Sequence, residues 1–159
     1  MAYSSTKKKS AGIVQISIGI LTVILVVLII AMMMIVSSIQ GTARIVNYAG
    51  LVRGKTQRIV KLEISGKQED DMIQEIESFI DGLMNGNKEL NLVRLEDSDF
   101  QTKMEELNEY FLMLKQEIMQ VRAYGADKTQ ILSKSEHFFE ICDEATGLAE
   151  MYSQRKASS

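Results

Sequence analysis

An uncharged apolar run near the start of the chain limits what the rest of the molecule can be. Residues Gly12–Val36, about 25 positions, carry no charge, and their polar side chains are Gln15, Ser17 and Thr22. A helix needs about 20 apolar residues to cross a bilayer, whereas a cleaved signal peptide has an apolar core of about 7–15 residues. We therefore expect residues 11–38 to form an uncleaved transmembrane signal anchor.

The charges that flank this run predict its orientation. Lys7, Lys8 and Lys9 lie directly before it, and basic residues favour the cytoplasmic side of a membrane. Arg44 lies beyond the other end, so the difference in charge supports this orientation without deciding it. We expect a cytoplasmic tail (residues 1–10) and an extracytoplasmic domain (residues 39–159) in a single-pass protein of the cell membrane.

The part after the run is expected to be all-α. The chain contains no proline, and its apolar residues recur at helical rather than alternating spacing. Short connections between helices make neighbours antiparallel, so residues 39–159 should form an up-down-up-down four-helix bundle that continues from the membrane helix. The predicted core positions after the first helix are Met72, Ile76, Phe79 and Leu83; Phe100, Met104, Leu107, Phe111, Leu114, Ile118 and Val121; and Ile131, Ser135, Phe138, Cys142, Ala145, Ala149 and Tyr152.

Local signals mark where these helices begin and end. The first helix should reach about Ile64 and stop at Gly66, because glycine readily takes the left-handed cap conformation. Ser98 is the predicted N-cap of the third helix, which ends near Gly125. The second helix is predicted over Gln68–Asn85. Gln101 is in the capping-box position of the third helix, and Asp127 is the predicted cap of the fourth.

The charge of the predicted outer domain excludes one class of partner. All 21 Asp and Glu residues follow the apolar run, whereas three of the 18 Lys and Arg residues precede it. The resulting net negative charge argues against nucleic acid as a partner. The first helix is nevertheless basic before its first acid, Glu63. We interpret Arg44, Lys55 and Lys61 as a solvated face that pairs with acidic residues of neighbouring helices.

Nothing in the sequence predicts catalysis. Cys142 and His137 are the sole residues of their types, so an intrachain disulfide is impossible and no metal-ligand cluster is apparent. We expect no enzyme activity, catalytic residue, metal or cofactor. Cys142 fits a buried helix position, with an intermolecular disulfide as the other interpretation, and His137 fits a surface or packing position.

Arg53 is the residue that first suggests a site. The positions Ala43, Val46, Gly50, Arg53, Gln57, Val60 and Ile64 alternate steps of three and four, which is the heptad spacing of one helix seam. This interpretation places Arg53 and Gln57 at core positions. A buried guanidinium needs a carboxylate, a wet cavity or a bound anion. Two hypotheses remain: an ion pair with an acid such as Glu75 or Glu144, or an anion-binding site.

The residues around Arg53 also carry a resemblance. Residues 47–58 read Asn-x-Ala-Gly-x-x-Arg-x-x-Thr-Gln-Arg. This segment resembles the P-box helix of nitrate/nitrite sensor histidine kinases and the input domain of type IV pili methyl-accepting chemotaxis transducers. It departs from the usual P-box at Gly54-Lys55, where those sensors carry a methionine-containing step.

The resemblance implies a ligand site between two subunits. Arg53 would be the ligand of a small anion, nitrate-like, nitrite-like or a carboxylate, in a parallel homodimer through the first helix. Gly50 would give close backbone approach. Asn47 and Gln57 would contribute either ligand contacts or hydrogen bonds between helices.

The sequence therefore predicts the signal-input portion of a bacterial membrane receptor of the histidine kinase, diguanylate cyclase or chemotaxis type. No output module follows in this chain, and the fourth helix should return towards the inner (cytoplasmic) membrane without a second apolar span. The competing hypothesis is a single-span structural or interaction protein that binds a partner helix or a receptor. A second span encoded directly downstream would favour the receptor.

Overall fold

The fold of the chain is all-α. The computed structural model describes the backbone of residues 3–125 and 127–157, with side chains except those of residues 3–12, 38, 39 and 157. The chain divides into two compact units, Met1–Ser38 and Ile39–Ser159. The helices of the described residues are α1 (Tyr3–Ile64), α2 (Asp70–Asn85), α3 (Ser98–Tyr124) and α4 (Thr129–Ala157).

The first unit is a helical segment with an apolar surface. The large apolar residues between Ile13 and Val36 are each 49% to 70% exposed. In the described part of the chain, α1 alone is long and apolar enough to cross a bilayer. The predicted cytoplasmic tail begins outside the described residues, and the side chains of Lys7, Lys8 and Lys9 also lie outside them. The membrane anchor and its orientation stay predictions.

The second unit is an antiparallel four-helix bundle, as predicted. In each pair of neighbouring helices, residues later in one helix contact residues earlier in the other. This holds for α1 with α2, α2 with α3, α3 with α4, and α4 with α1, so the chain runs up-down-up-down. The contacts are Tyr48–Phe79 and Lys55–Glu75; Glu77–Lys115 and Asp70–Arg122; Lys103–Glu144, Phe111–Phe138 and Lys134–Glu117; and Arg53–Asp143 together with the cavity that Val46 and Glu150 line.

The core confirms the predicted seams of α3 and α4. All seven predicted positions of α3 are buried, and six of those in α4 are buried, while Tyr152 packs partly exposed against the core. On α2, Met72 is also partly buried, and Ile73 and Ile80 widen the apolar stripe. These stripes bury their apolar side chains against one another, which is the main driving force for forming the bundle.

The helix ends agree with the predicted signals except at the starts of α2 and α3. Gly66 and Gly125 have φ angles of 81° and 64°, the left-handed region that glycine reaches without strain. The prediction of Ser98 as N-cap of α3 was wrong, because Asp97 occupies that position and its Oδ1 accepts a hydrogen bond from the Phe100 N–H at 3.0 Å. The prediction of Gln101 in the capping-box position was wrong, because it lies one residue beyond that position and its Nε2 donates to the Leu95 carbonyl at 2.8 Å. The predicted start of α2 at Gln68 was also early, since the helix begins at Asp70.

The connection between α2 and α3 packs against the core. Asn87 and Leu92 pair through two backbone hydrogen bonds of 2.9 and 2.8 Å, and Asn87 Oδ1 accepts from the Leu90 N–H at 3.0 Å. Leu92 and Leu95 are buried. The connection therefore closes one end of the bundle as an ordered turn.

Candidate functional site

The inward seam of α1 lies one residue away from the predicted seam. The buried positions include Thr42, Ile45, Ala49, Val52, Thr56, Ile59 and Glu63, which alternate steps of three and four. The prediction that Arg53, Gln57 and Gly50 occupy core positions was therefore wrong. Gly50 and Gln57 are exposed, and Arg53 is half-buried. Ile45, Val52 and Ile59 recur every seven residues and direct this face of the helix into the bundle.

A second heptad stripe runs along the opposite side of α1. We call this exposed stripe the outer face. Its spacing is again alternately four and three residues, and a Cβ atom added at either of its glycines would meet nothing within 4 Å. Small residues let two helix backbones approach closely. The outer face consists of Ala43, Asn47, Gly50, Gly54, Gln57 and Lys61.

Arg53 lies on the border between the outer face and α4. Its Nε is 2.8 Å from Oδ1 of Asp143, and its Cζ lies 5.3 Å from the centroid of the Phe139 ring. The Arg53 side chain is 40% exposed and that of Asp143 is 63% exposed. Arg53 thus has a carboxylate of the fourth helix at one edge and an aromatic ring beneath it. The acid is Asp143 rather than Glu75 or Glu144.

Two buried polar atoms of α1 lack hydrogen-bond partners among the described residues. They are Arg53 Nε and Thr56 Oγ1, which lie one helical turn apart on α1. The short distance from Nε to Asp143 is therefore a contact between charges in which the N–H does not point at the oxygen. Such a pair has Coulombic attraction but lacks the directed hydrogen bond that strengthens a good ion pair.

The other basic residues of α1 divide into paired and unpaired ones. Lys55 Nζ lies 2.7 Å from Glu75 Oε2, which confirms the predicted pairing with a neighbouring helix. Arg44 and Lys61 are exposed, as predicted, but the predicted pairing was wrong for them, because neither forms an ion pair within the described residues. Arg58 is likewise exposed without an acidic partner in the described part. The positive charge of Arg44, Arg58 and Lys61 is therefore not neutralised by ion pairs among the described residues.

Two cavities among the described residues lie away from Arg53. One, of about 310 Å³, lies between α1 and α4, and the other, of about 470 Å³, lies on α3. Their linings are Thr42, Ala43, Val46, Glu150, Ser153 and Gln154, and Leu112, Lys115, Gln116, Met119 and Gln120. None of these residues belongs to the predicted site, and Ala43 alone belongs to the outer face.

Cys142 and His137 occupy the positions expected of packing residues. Cys142 is fully buried, and burial raises the pKa of its thiol to about 12. His137 is exposed, with Nδ1 3.1 Å from Glu140 Oε2 and its ring against Tyr110. Within the described residues, no group of His, Cys, Asp or Glu side chains is arranged to hold a metal ion.

Sequence reasoning missed Asp143 and Phe139, the two residues of α4 that contact Arg53. Asp143 follows a core position, Cys142, and Phe139 follows another, Phe138. A residue one step after a core position lies on a flank of its helix. The signal was therefore present, but the sequence does not say which flank of α4 faces α1.

Comparison with known proteins supports the fold. No protein-family model matches the chain, and no curated protein matches its sequence. The structure is similar to that of the ligand-binding domain of the P. aeruginosa nitrate receptor McpN, with a TM-score of 0.61 and 17% sequence identity. The match covers 69% of this chain and 95% of that domain. At this identity, the likeness shows a shared fold.

Proposed function

We propose that this chain is the signal-input part of a bacterial membrane receptor and binds a small anion at Arg53, between the α1 helices of a homodimer. The observation that carries the proposal is the position of Arg53, a half-exposed guanidinium beside an unpartnered helix face. Asn47, Gly50 and Gln57 lie on that face.

The fold supports a sensory role. The neighbour is described as the ligand-binding domain of a nitrate receptor, and almost all of that domain matches this chain. The four-helix bundle of residues 39–159 follows the apolar run directly. We infer that the apolar run is a single membrane anchor, with the lysine-rich end in the cytoplasm and the bundle outside the inner membrane.

The outer face of α1 supports a symmetric dimer. A two-fold interface brings the same surface of two subunits together, so it must be complementary to itself. Gly50, Gly54 and Ala43 leave room for close backbone approach, and Asn47 and Gln57 can each donate and accept hydrogen bonds across the interface. In a parallel pair, each of these residues lies beside its own copy.

Charge supports an anion as the ligand. In such a dimer, Arg58 and Lys61 of one subunit, which form no ion pair among the described residues, approach the same residues of the other beside Arg53, and like charges at close range repel. A small anion between the two copies reduces this repulsion. The guanidinium is planar and presents its donors as a fork, which suits the oxygens of nitrate, nitrite or a carboxylate. A cation–π contact with the Phe139 ring, whose centroid lies 5.3 Å from Arg53 Cζ, favours this position of the guanidinium.

The test is calorimetric titration of the full chain in lipid nanodiscs with nitrate, nitrite and acetate. Arg53→Gln removes the charge at the site, and Arg44→Gln makes the same change on the same helix about two and a half turns away. We expect saturable binding of at least one anion that Arg53→Gln loses and Arg44→Gln keeps. Absence of binding by a folded, dimeric wild-type chain would reject the anion site and favour a protein that binds a partner helix.

A further inference from the structure

Asp143 is the acid that contacts Arg53 within one chain, with its Oδ1 2.8 Å from Arg53 Nε. We propose that Asp143 is a built-in competitor of the ligand, whose carboxylate neutralises Arg53 in the empty site and sets the anion affinity. This inference rests on the anion site proposed above.

The geometry of the pair makes Asp143 displaceable. Asp143 Oδ1 lies 2.8 Å from Arg53 Nε, but the N–H makes no hydrogen bond to it. Both side chains are substantially exposed, at 40% and 63%. Exposed ion pairs without ideal geometry contribute little to stability. The displacement of Asp143 by an anion that binds Arg53 in better geometry therefore costs little free energy.

The position of Asp143 makes it a competitor wherever the anion binds on the guanidinium. The Phe139 ring lies against the guanidinium group, and Asp143 lies at its Nε edge. An anion at that edge must displace the carboxylate. An anion on the two terminal nitrogens lies within a few ångströms of the carboxylate and is repelled by it. In both cases Asp143 lowers the affinity.

The neighbouring acid provides a matched control. Glu144 is next to Asp143 in the chain, but its Oε2 lies 2.6 Å from Lys103 Nζ, which also pairs with Glu106. The nearby ammonium lowers the pKa of Glu144 and compensates its charge locally. Removal of the Glu144 charge therefore changes the net charge of the domain but leaves the contact between Arg53 and Asp143 in place.

The experiment titrates nitrate, nitrite and acetate into the full chain in nanodiscs and compares wild type, Asp143→Asn and Glu144→Gln. Asp143→Asn keeps the shape of the side chain and removes its charge, and Asp143→Ser is a second variant of smaller volume. We expect both Asp143 variants to bind about fivefold more tightly than wild type, since removing an exposed charge contact has an effect of this order. Glu144→Gln should change the affinity by less than about twofold.

The outcomes separate this inference from the proposed function. If Arg53→Gln abolishes binding but the Asp143 variants bind no more tightly than wild type, the anion site stands and the role of Asp143 is rejected. An equal gain in Glu144→Gln also rejects it, because the effect would then be one of net charge. If the Asp143 variants bind an anion and wild type does not, Asp143 competes with the anion more strongly than the expected fivefold. If no chain binds an anion, both proposals are rejected.

Discussion

The carboxylate of Glu63, whose side chain is 3% exposed, is held by two nitrogens along one edge of the Arg122 guanidinium. Arg122 Nε donates to Oε2 at 3.0 Å, and Nη2 donates to Oε1. The remaining nitrogen, Nη1, lies 2.6 Å from Oδ1 of Asp70. This cluster joins the end of α1, the start of α2 and the end of α3, so it fixes three helices of the bundle at one level.

Arg122→Ala should destabilise the protein strongly. The substitution leaves the Glu63 carboxylate buried without its cation, and breaking a buried ion pair in this way costs about 3–5 kcal/mol. The free energy of unfolding from urea denaturation, followed by circular dichroism, measures the loss. Lys115→Ala removes a half-exposed partner of Glu77 and is the control, with an expected cost below about 1 kcal/mol.

The double variant Glu63→Leu with Arg122→Leu tests the cause of this loss. Well-packed apolar residues often replace a buried pair at no cost. We expect the double variant to be more stable than Arg122→Ala by at least about 2 kcal/mol. Equal destabilisation would mean that the contacts of the Arg122 stem, rather than its charge, hold the three helix ends.

The bundle was predictable because its seams are mostly apolar. Every inward position of α3 from Phe100 to Val121 is hydrophobic, so its register is unambiguous. On α1 the inward seam contains Thr42, Thr56 and Glu63, which look like surface residues in a sequence. The heptad pattern of this helix therefore fitted more than one register, and the predicted seam was shifted by one residue.

The candidate site was predictable only in part for the same reason. A helical wheel locates Arg53 relative to its own helix, whereas the identity of its partner depends on how α4 is rotated against α1. That rotation follows from the packing of many core residues together. Glu144 and Glu75 were reasonable partners by distance along the bundle, yet they pair with Lys103 and Lys55.

The N-cap of α3 gives a direct test of one corrected assignment. Asp97→Ala should cost about 1 kcal/mol of stability because the Phe100 N–H loses its acceptor, whereas Ser98→Ala should cost less than about 0.5 kcal/mol. Thermal unfolding of the two variants measures the difference. Asp97 Oδ2 also lies 2.9 Å from Arg155 Nη2, so Arg155→Gln is needed to show the cost of that exposed pair alone. If Ser98→Ala were the more harmful change, the cap assignment would be wrong.

Two glycines inside helices should respond oppositely to alanine. Alanine is favoured over glycine in a helix by about 1 kcal/mol, and this is the expected gain for Gly50→Ala in a monomer. At Gly82 a Cβ would lie 3.0 Å from Leu92 Cδ1 and 3.2 Å from Asn87 Cβ. The turn that holds Asn87 cannot easily move away, and overpacking costs about 1–3 kcal/mol. The free energy of unfolding measured with urea should therefore be about 2 kcal/mol lower for Gly82→Ala than for Gly50→Ala.

The Cys142 thiol should make the fold sensitive to alkali. Burial raises its pKa from 9.0 to about 12, so between these values the unfolded chain releases a proton that the folded chain retains. Unfolding is then favoured as pH rises from about 9 towards 12, by at most about 1.4 kcal/mol per pH unit. Below about pH 9 this contribution is constant. Urea unfolding of wild type and Cys142→Ala across this range should show a steeper fall for wild type; parallel curves would contradict the inference.

If the chain dimerises through the outer face of α1, leucine at Gly50 or Gly54 should weaken the association of two chains without lowering the stability of either chain. Gly50→Leu and Gly54→Leu place side chains where a Cβ meets no atom of the same subunit, so the fold of one subunit should be unharmed or slightly stabilised. In a dimer, the same leucines would hold the two α1 backbones apart. Sedimentation equilibrium in detergent should therefore show a larger monomer fraction for both variants.

A leucine elsewhere on the surface separates this effect from a general change in solubility. Ser133 is an exposed residue of α4, and Ser133→Leu adds a comparable apolar side chain away from α1. We expect this control to dimerise like wild type. A dimer that survives in Gly50→Leu and Gly54→Leu but dissociates in Ser133→Leu would place the interface on α4. That outcome would reject an anion site between the outer faces of two α1 helices.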